Sequence, residues 1–408
     1  MKRRNIIFGL DVGTNTIKAA VGEVYYDGTI NVLGVINSPS LGLRKGNIVD
    51  IENTAKSIEA SLLSLERLTG VVADSAVIGF SGNNITSVNN HAIVAVGNQH
   101  YEISNEDKER VLQSAQNIAL PPDKTIVQII ERQYIIDGYD GVKDPVGMVG
   151  SRLEAEIVII IAATAGLQNL YRSTQRINLQ VNNSYYNPLL ASESVLLPAE
   201  KEMGVVLVNL GAGITELSYF QMGSLLYTSV LPVGGDYITK DLAIVLRTSI
   251  DEAERIKEEY GTAKVELADE NDLITIYNVQ GTETKKVSSR VIAEIISARV
   301  YEILEMIFSE LTRFGCIDKM PAGIVLTGGG AHLIAINELV EEYFNIPARL
   351  GFPDNIKGLS SEFRYPQYAN VLGAIKCGAK YLDISYQETR GISKVFDRIS
   401  YYLKDLFS

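Results

Sequence analysis

The chain opens on an apolar run interrupted by one acid, IIFGLDVGTNTIKAAVGEV, and the same pattern returns near its middle as VVLVNLGAGITELSYF. Each copy reads as a buried strand, an acid or its amide, a loop of glycine and small residues, and a strand running back. A third strand follows in both, TINVLGVINS after the turn Asp27-Gly28 and SLLYTSVLPVGG after Met222-Gly223. A three-strand plan that recurs whole marks an internal duplication on the scale of a domain. The first copy carries Asp11 before its glycine; the second carries Asn209.

Periodicity fills in the rest. Apolar residues at Ile58, Leu62 and Leu65 with a stop at Gly70 predict a helix over 51–68, and VVADSAVIGFSG a strand after it. Between 84 and 156 the texture turns polar. A strand in ITSVNNHAIVAVG, a helix over 105–119, the break Pro121-Pro122, the strand IVQIIERQYIIDG and a loop over 139–150 predict a small inserted α+β unit. Then IVIIIAATAGLQNLYRSTQRINLQV resumes a strand–helix–strand rhythm, and Pro188 opens a helix carrying LLASESVLL. After the second copy come helices over 237–246 and 249–260, an irregular charged stretch over 262–290, and a long helix over 287–314. GIVLTGGG follows as a buried strand ending in three glycines, then a helix over 334–344.

Composition narrows the class. At 408 residues the chain is long for one core. With 46% hydrophobic and 21% charged residues it reads as a soluble globular protein without long disorder. A net charge of −12 argues against nonspecific nucleic-acid binding, which needs clustered Lys and Arg. The two cysteines, Cys316 and Cys377, stand far apart and form no disulfide framework, which points to a reducing cytoplasm. The basic start MKRRNIIFGLDVG has too short an apolar run for a signal peptide. The most apolar stretch, 157–165, is about half the length of a spanning helix, and its β-branched content makes it a buried strand. Contact with a membrane is therefore expected to be peripheral.

Chemistry concentrates in the glycine loops. Gly13-Thr14-Asn15-Thr16 and Gly211-Ala212-Gly213-Ile214-Thr215 are tight turns whose successive N–H groups and hydroxyls form anion-binding concavities. Two such turns facing each other would clamp a polyphosphate between two domains. Thr327-Gly328-Gly329-Gly330 leaves room at a strand end for a flat group such as a nucleoside. Neither a dinucleotide-binding GxGxxG nor a Walker A sequence is present. His91, His100 and His332 show no ligand spacing and read as structural.

This ordered set resembles the actin, Hsp70 and sugar-kinase superfamily. It has a first phosphate loop from Asp11 to Lys18, a connecting helix near Ala191 to Leu197, a second phosphate loop from Asn209 to Thr215, an adenosine loop at Gly328 to Gly330, and a last helix in YANVLGAIKCGAKY. Within it the chain is similar to the bacterial cell-division actin homologues of the FtsA family, through KGNIVDIENTAKSI, IDGYDGVKDPVGMVGSRLEAEIVII and GGDYITKDLAIVLRTSIDEAERIKEEYG. The resemblance implies an α/β, actin-like fold of two duplicated RNase H-like domains around a nucleotide cleft. Subdomain 1A would span 1–83 and 157–200, the inserted subdomain 1C 84–156, subdomain 2A 201–246 and 321–383, and subdomain 2B 247–320. A linker over 384–391 and a membrane-targeting helix over 392–408 would follow.

By the same resemblance ATP and Mg2+ lie between the halves. Asp11, Gly13, Thr14, Asn15, Thr16 and Lys18 would surround the phosphates from one side, with Asp11 holding magnesium through water. Asn209, Gly211, Ala212, Gly213 and Ile214 would do so from the other. Gly234, Gly235, Lys257, Gly328, Gly329 and Gly330 would surround ribose and adenine, Lys257 being also readable as a solvated helix position. One departure matters. Where the family usually has Asp, Gly, Gly and a later Asp, this chain has Asn209, Gly211, Ala212 and Glu216, and Asn187-Pro188 stands where some relatives have Glu-Pro. Asn209 keeps shape but loses charge, and Glu193 would need a turn's displacement to serve as a base. The expectation is nucleotide binding with slow or absent hydrolysis, at most a weak ATPase, and no assigned catalytic residue.

The tail reads ISKVFDRISYYLKDLFS, with Ile392, Val395, Phe396, Ile399, Leu403, Leu406 and Phe407 on one helical face. Arg390, Lys394, Arg398 and Lys404 against Asp397 and Asp405 leave a local charge of +2 (four minus two). Such a helix suits an anionic leaflet, and FtsA proteins end in one. The family also implies self-assembly into filaments and other division partners at the cytoplasmic face of the inner membrane, at the septum. Its 2B subdomain receives the acidic C-terminal peptide of FtsZ, with Lys285, Lys286, Arg290 and Arg299 as contacts here. A pilus-assembly adaptor of the same fold and a sugar kinase are the alternatives; the latter lacks a persuasive catalytic Asp.

Overall fold

The computed structural model describes residues 5–25, 27–97 and 100–388, with side chains to Tyr381. Strands β1 (Asn5–Val12), β2 (Thr16–Val24) and β3 (Ile30–Pro39) form an antiparallel meander. A two-stranded ribbon, β4 (Leu43–Arg44) and β5 (Asn47–Ile48), leads into helix α1 (Ile51–Thr69). The helix starts where the Asp50 carboxylate accepts the Asn53 N–H at 3.0 Å, and stops at Gly70 with φ 72°. An N-cap of this kind is worth about 1 kcal/mol. Strand β6 (Ser75–Phe80) then joins β1 in parallel.

The insert follows: β7 (Thr86–Ala95), α2 (Asn105–Gln116), β8 (Lys124–Ile136), β9 (Tyr139–Val142) and β10 (Arg152–Ala163). Its sheet has the order β7-β10-β8-β9, and α2 closes its core with Val111, Leu112 and Ala115 against Tyr134, Leu153 and Ile157. The helix expected to reach 119 ends at Gln116, because Asn117 turns out of helical geometry (ψ 85°) and donates its N–H to Ser114 instead. Helix α3 (Thr164–Gln175) returns the chain to β11 (Gln180–Tyr186), which completes the sheet β11-β6-β1-β2-β3.

After α4 (Asn187–Val195) and α5 (Pro198–Met203) the plan repeats. Strands β12 (Val205–Leu210), β13 (Thr215–Gln221) and β14 (Ser224–Leu231) form the second meander. Helices α6 (Gly235–Leu246) and α7 (Ile250–Tyr260) follow. The stretch expected to be irregular contains a hairpin, β15 (Leu273–Tyr277) and β16 (Thr284–Ser288). Its alternation in LITIY buries Ile274 and Ile276 while Leu273, Thr275 and Tyr277 face out, so the period-two signal was there under the charge. Then come α8 (Ser289–Phe314), β17 (Ile324–Thr327), α9 (Ile336–Phe344), β18 (Ala348–Leu350) and α10 (Ala369–Glu388).

The second sheet has the order β14-β13-β12-β17-β18, with the same sense at every pairing as the first. The duplication read from sequence is therefore a duplication of topology. Helix α1 covers one face of the first sheet, and α10 the other through Val371, Ala374 and Ile375. Helix α4 lies between the halves: Leu190 packs in the α10 core, and Ala191 and Val195 join Val205 and Leu207 of β12. The last helix runs to Glu388 through 384–388 of the expected linker, since LDISYQE contains no helix breaker. The tail over 392–408, with every membrane-facing residue assigned to it, lies outside the described residues. Among those described, no helix is long and apolar enough to cross a membrane.

Candidate functional site between the halves

The two hairpin loops close in the same way. Gly13 donates its N–H to the Thr16 carbonyl at 3.1 Å, and Gly211 to the Ile214 carbonyl at 3.0 Å. A Cβ on Gly13 would come 2.7 Å from Thr16 O, and one on Gly211 2.9 Å from Ile214 O, so both turns exclude larger residues. The loops meet tip to tip: a Cβ on Gly213 would come 2.8 Å from Thr14 Oγ1. Asn15 Nδ2 donates to Asp236 Oδ1 at 2.7 Å across the same gap.

Register shows what became of the missing carboxylate. Asp11 stands opposite Lys18 across β1 and β2, and Asn209 opposite Glu216 across β12 and β13. The second copy keeps an acid, moved to the return strand. Glu216 is buried and accepts from Asn209 Nδ2 at 2.7 Å and, from the other half, Ser81 Oγ at 2.6 Å. Burial pushes its carboxyl up to about 7; the hydrogen bonds from Ser81 and Asn209 pull it down, and Asp11 adds to the rise.

Asp11 is buried too, and burial raises its pKa against the pull of Lys18, Asn370 and Asn187. Asn187 Nδ2 donates to its Oδ1 at 3.3 Å and Asn370 Nδ2 to its Oδ2 at 3.4 Å. The carbonyl oxygens of both amides are buried and have no donor. Buried acceptors are ordinarily satisfied. Waters on a hydrated cation held at Asp11 are donors of the kind these two oxygens want, so the set fits magnesium bound through water. Lys18 Nζ donates to Thr16 Oγ1 at 2.9 Å, and burial lowers its pKa while Asp11 raises it. His332, read as structural, lies close enough for the Lys18 charge to act with desolvation in lowering its pKa.

The glycines expected around the nucleoside converge on the second loop. Gly235 and Asp236 donate their N–H groups to the carbonyls of Gly211 and Ala212, each at 2.9 Å, which stacks the start of α6 on that loop. Gly234 lies against the same two carbonyls. Gly328, with φ 85°, has Asn209 Oδ1 2.5 Å from where a Cβ would stand, and Gly330 packs on Leu210, while Gly329 faces open space. Lys257 comes out of solvent: its Nζ donates to Thr239 Oγ1 at 2.9 Å and to Glu254, and lies against Gly235.

Other assigned residues are not gathered there. Both oxygens of Glu193 are taken, by Lys201 at 2.9 Å and by Lys380. Burial alone would raise its pKa, but the two lysines outweigh it and hold it at about 2. Lys285 and Lys286 are consecutive on β16 and point to opposite faces. Arg290 pairs with Glu294, and Arg299 with Asp241 (2.5 and 3.0 Å) and Glu302. Asn370, Ser81 and Asp236 reach the cleft from elsewhere in the chain without any local motif; Asn187 and Glu216 had a signal, the one before Pro188 and the other seven residues after Asn209.

Comparison with known proteins identifies the fold and the family. The family model for cell division protein FtsA matches residues 206–373, and that for the SHS2 domain inserted in FTSA matches 82–161. The cell division protein FtsA of Pseudomonas aeruginosa is 39% identical over 91% of this chain and 89% of its own length. That of Bacillus subtilis is 37% identical over 92% and 84%. Among solved structures, a PilM-PilN type IV pilus biogenesis complex superposes with a TM-score of 0.67 at 15% identity, covering 91% of this chain and 98% of that one. MreB 5 of Spiroplasma citri bound to AMPPNP gives 0.55 at 13%, covering 95% and 99%. The fold is actin-like with an inserted SHS2 domain, and the chain belongs to the FtsA family of cell-division proteins.

Proposed function

We propose that this actin-like cell-division protein binds ATP with Mg2+ in the cleft and uses it as a clamp between the halves rather than as fuel. The observation that carries this is the meeting of two glycine loops of identical closure beside a buried acid flanked by two unsatisfied amide oxygens. Asp11 would hold the cation through water, and backbone N–H groups of both loops the phosphates. The bound cation would neutralise phosphate charge.

Hydrolysis is expected to be very slow or absent. A general base must be free to take a proton from the attacking water. Glu216 is engaged on both oxygens, Asp236 accepts from Asn15, and Glu193 is tied to two lysines. Asn209→Asp, which restores a carboxylate on β12, should raise phosphate release; magnesium-dependent turnover in the native chain that this change fails to raise would count against the reading.

In the same proposal the nucleotide-closed chain assembles into filaments on the inner face of the membrane. It tethers FtsZ filaments there through its terminal helix, ISKVFDRISYYLKDLFS, at the division septum. Membership of the division family and the amphipathic pattern of that segment support this. The FtsZ peptide would meet the region of α8 and the β15–β16 hairpin, with Lys285, Lys286 and Arg290 as its exposed cations.

A further inference from the structure

Lys45 and Gly46 form the two-residue turn of the β4–β5 ribbon, with φ of 50° and 72°. Turns of this hand favour Asn-Gly; a lysine at the first position is strained, and strain of this kind concentrates where geometry serves a site. The tip is wedged between the halves. A Cβ on Gly213 would come 2.9 Å from Lys45 Cα, and one on Gly46 2.9 Å from Ile214 Cδ1. Gly46 donates its N–H to Thr14 Oγ1 at 3.1 Å. The Lys45-Gly46 turn thus touches both phosphate loops at once.

Its ammonium lies 5.3 Å from the ring centroid of Tyr237 on α6, and its nearness lowers the phenol's pKa. Lys240 and Arg299 approach the same ring at 5.0 and 5.6 Å. Arg299 is neutralised by Asp241 and Glu302, whereas no carboxylate pairs with Lys45 among the described residues. The cleft also has a direction. Gly328 and Gly330, the nucleoside side, pack at Asn209 and Leu210, where the second loop begins; Lys45 packs at Gly213, toward its end. A phosphate chain laid along that loop brings its last phosphate to Lys45.

We propose that Lys45 is the residue by which this cleft tells a nucleoside triphosphate from a diphosphate, its ammonium moving from Tyr237 to the terminal phosphate. This rests on the nucleotide reading above. The exchange is favourable, because a charge-assisted hydrogen bond is worth about 1.5–3 kcal/mol and an exposed cation–π contact about 0.5–1. Lysine's flexible stem permits the move without shifting the ribbon.

The test is equilibrium binding of Mg-ATP and Mg-ADP to the full chain and to Lys45→Asn and Lys45→Arg. Asparagine suits the positive φ, so the ribbon keeps its turn, which an unchanged melting temperature without nucleotide verifies. The expected result is about tenfold weaker ATP binding in Lys45→Asn with ADP binding unchanged, and at least partial rescue in Lys45→Arg. An unchanged ATP-to-ADP ratio, whether both affinities fall or neither does, overturns the role of Lys45 and leaves the nucleotide reading standing. A native chain that binds neither nucleotide overturns both.

Discussion

Asp11 and Glu216 are each buried near the loop end of a hairpin, and they differ in what faces them. Asp11 has a lysine opposite and two amide donors; Glu216 has an amide opposite and a hydroxyl from the other half. The raised pKa of Glu216 has a consequence for stability. Its folded value of about 7 lies above its ordinary 4.5, so between those values the folded state holds the proton more tightly than the unfolded. Stability from this group is full below the lower value, declines as pH rises through the window, and is lost above the upper one. The penalty at pH 8 is on the order of 3 kcal/mol, at about 1.4 kcal/mol per pKa unit. Glu216→Gln should remove it: urea unfolding without nucleotide is expected to show the variant gaining on the native chain as pH goes from 5 to 8. Parallel pH profiles would show that Glu216 does not titrate in this range. At this scale the sequence was partly legible. Asp11 and Asn209 announce themselves by standing before a glycine. Asn187 shows only as the residue before Pro188, and Asn370 not at all, since they stand 176 and 359 positions from Asp11 and are delivered by helices.

At the scale of elements, glycines decide how closely helices and loops approach. Gly373 in α10 faces the Leu190 carbonyl of α4 so closely that a Cβ would overlap it, and neither backbone is free to move. Gly373→Ala should therefore cost at least about 1–3 kcal/mol in urea unfolding, the range for overpacking a tight core. Gly166, inside α3, has open space where its Cβ would stand, so Gly166→Ala should stabilise by up to about 1 kcal/mol through helix propensity. If the two changes have like effects, the close α4–α10 approach is not what holds that seam. Most elements could be read from periodicity because the central strands of each half, β1 and β2 and then β12, β13 and β17, are largely buried. The β15–β16 hairpin was obscured because it buries only Ile274 and Ile276 and carries charge elsewhere. The end of α10 was misread because polarity was taken for a boundary, whereas polar residues without Gly or Pro continue a helix.

For the whole molecule, one core joins both halves. Residues of β1 and β6 share it with Val205, Leu207 and Val325 of the second sheet, with α4 as the common wall. The insert leans on the second half as well: Ser87 Oγ accepts the Thr228 N–H at 3.0 Å, and Lys143 Nζ donates to the Met222 carbonyl at 2.7 Å. The halves are tied again at the cleft, where Asn15–Asp236, Ser81–Glu216 and Lys45–Tyr237 cross the gap. In the proposed function those ties, reinforced by nucleotide, are what commit the chain to assembly. In the same proposal segment 392–408 supplies the membrane attachment, so in the presence of Mg-ATP the full chain should pellet with anionic liposomes and a chain ending at Gly391 should not. Added salt should weaken the pelleting, since part of the attraction is between lysines and lipid headgroups. Equal pelleting of the two chains would contradict the tether.

The central claim, a nucleotide clamp that holds without cutting, is tested most directly by binding radiolabelled ATP to the full chain with magnesium and recovering the ligand after many dissociation times. The account predicts saturable, magnesium-dependent binding with the nucleotide recovered as triphosphate. No saturable binding, or recovery as diphosphate, would contradict it.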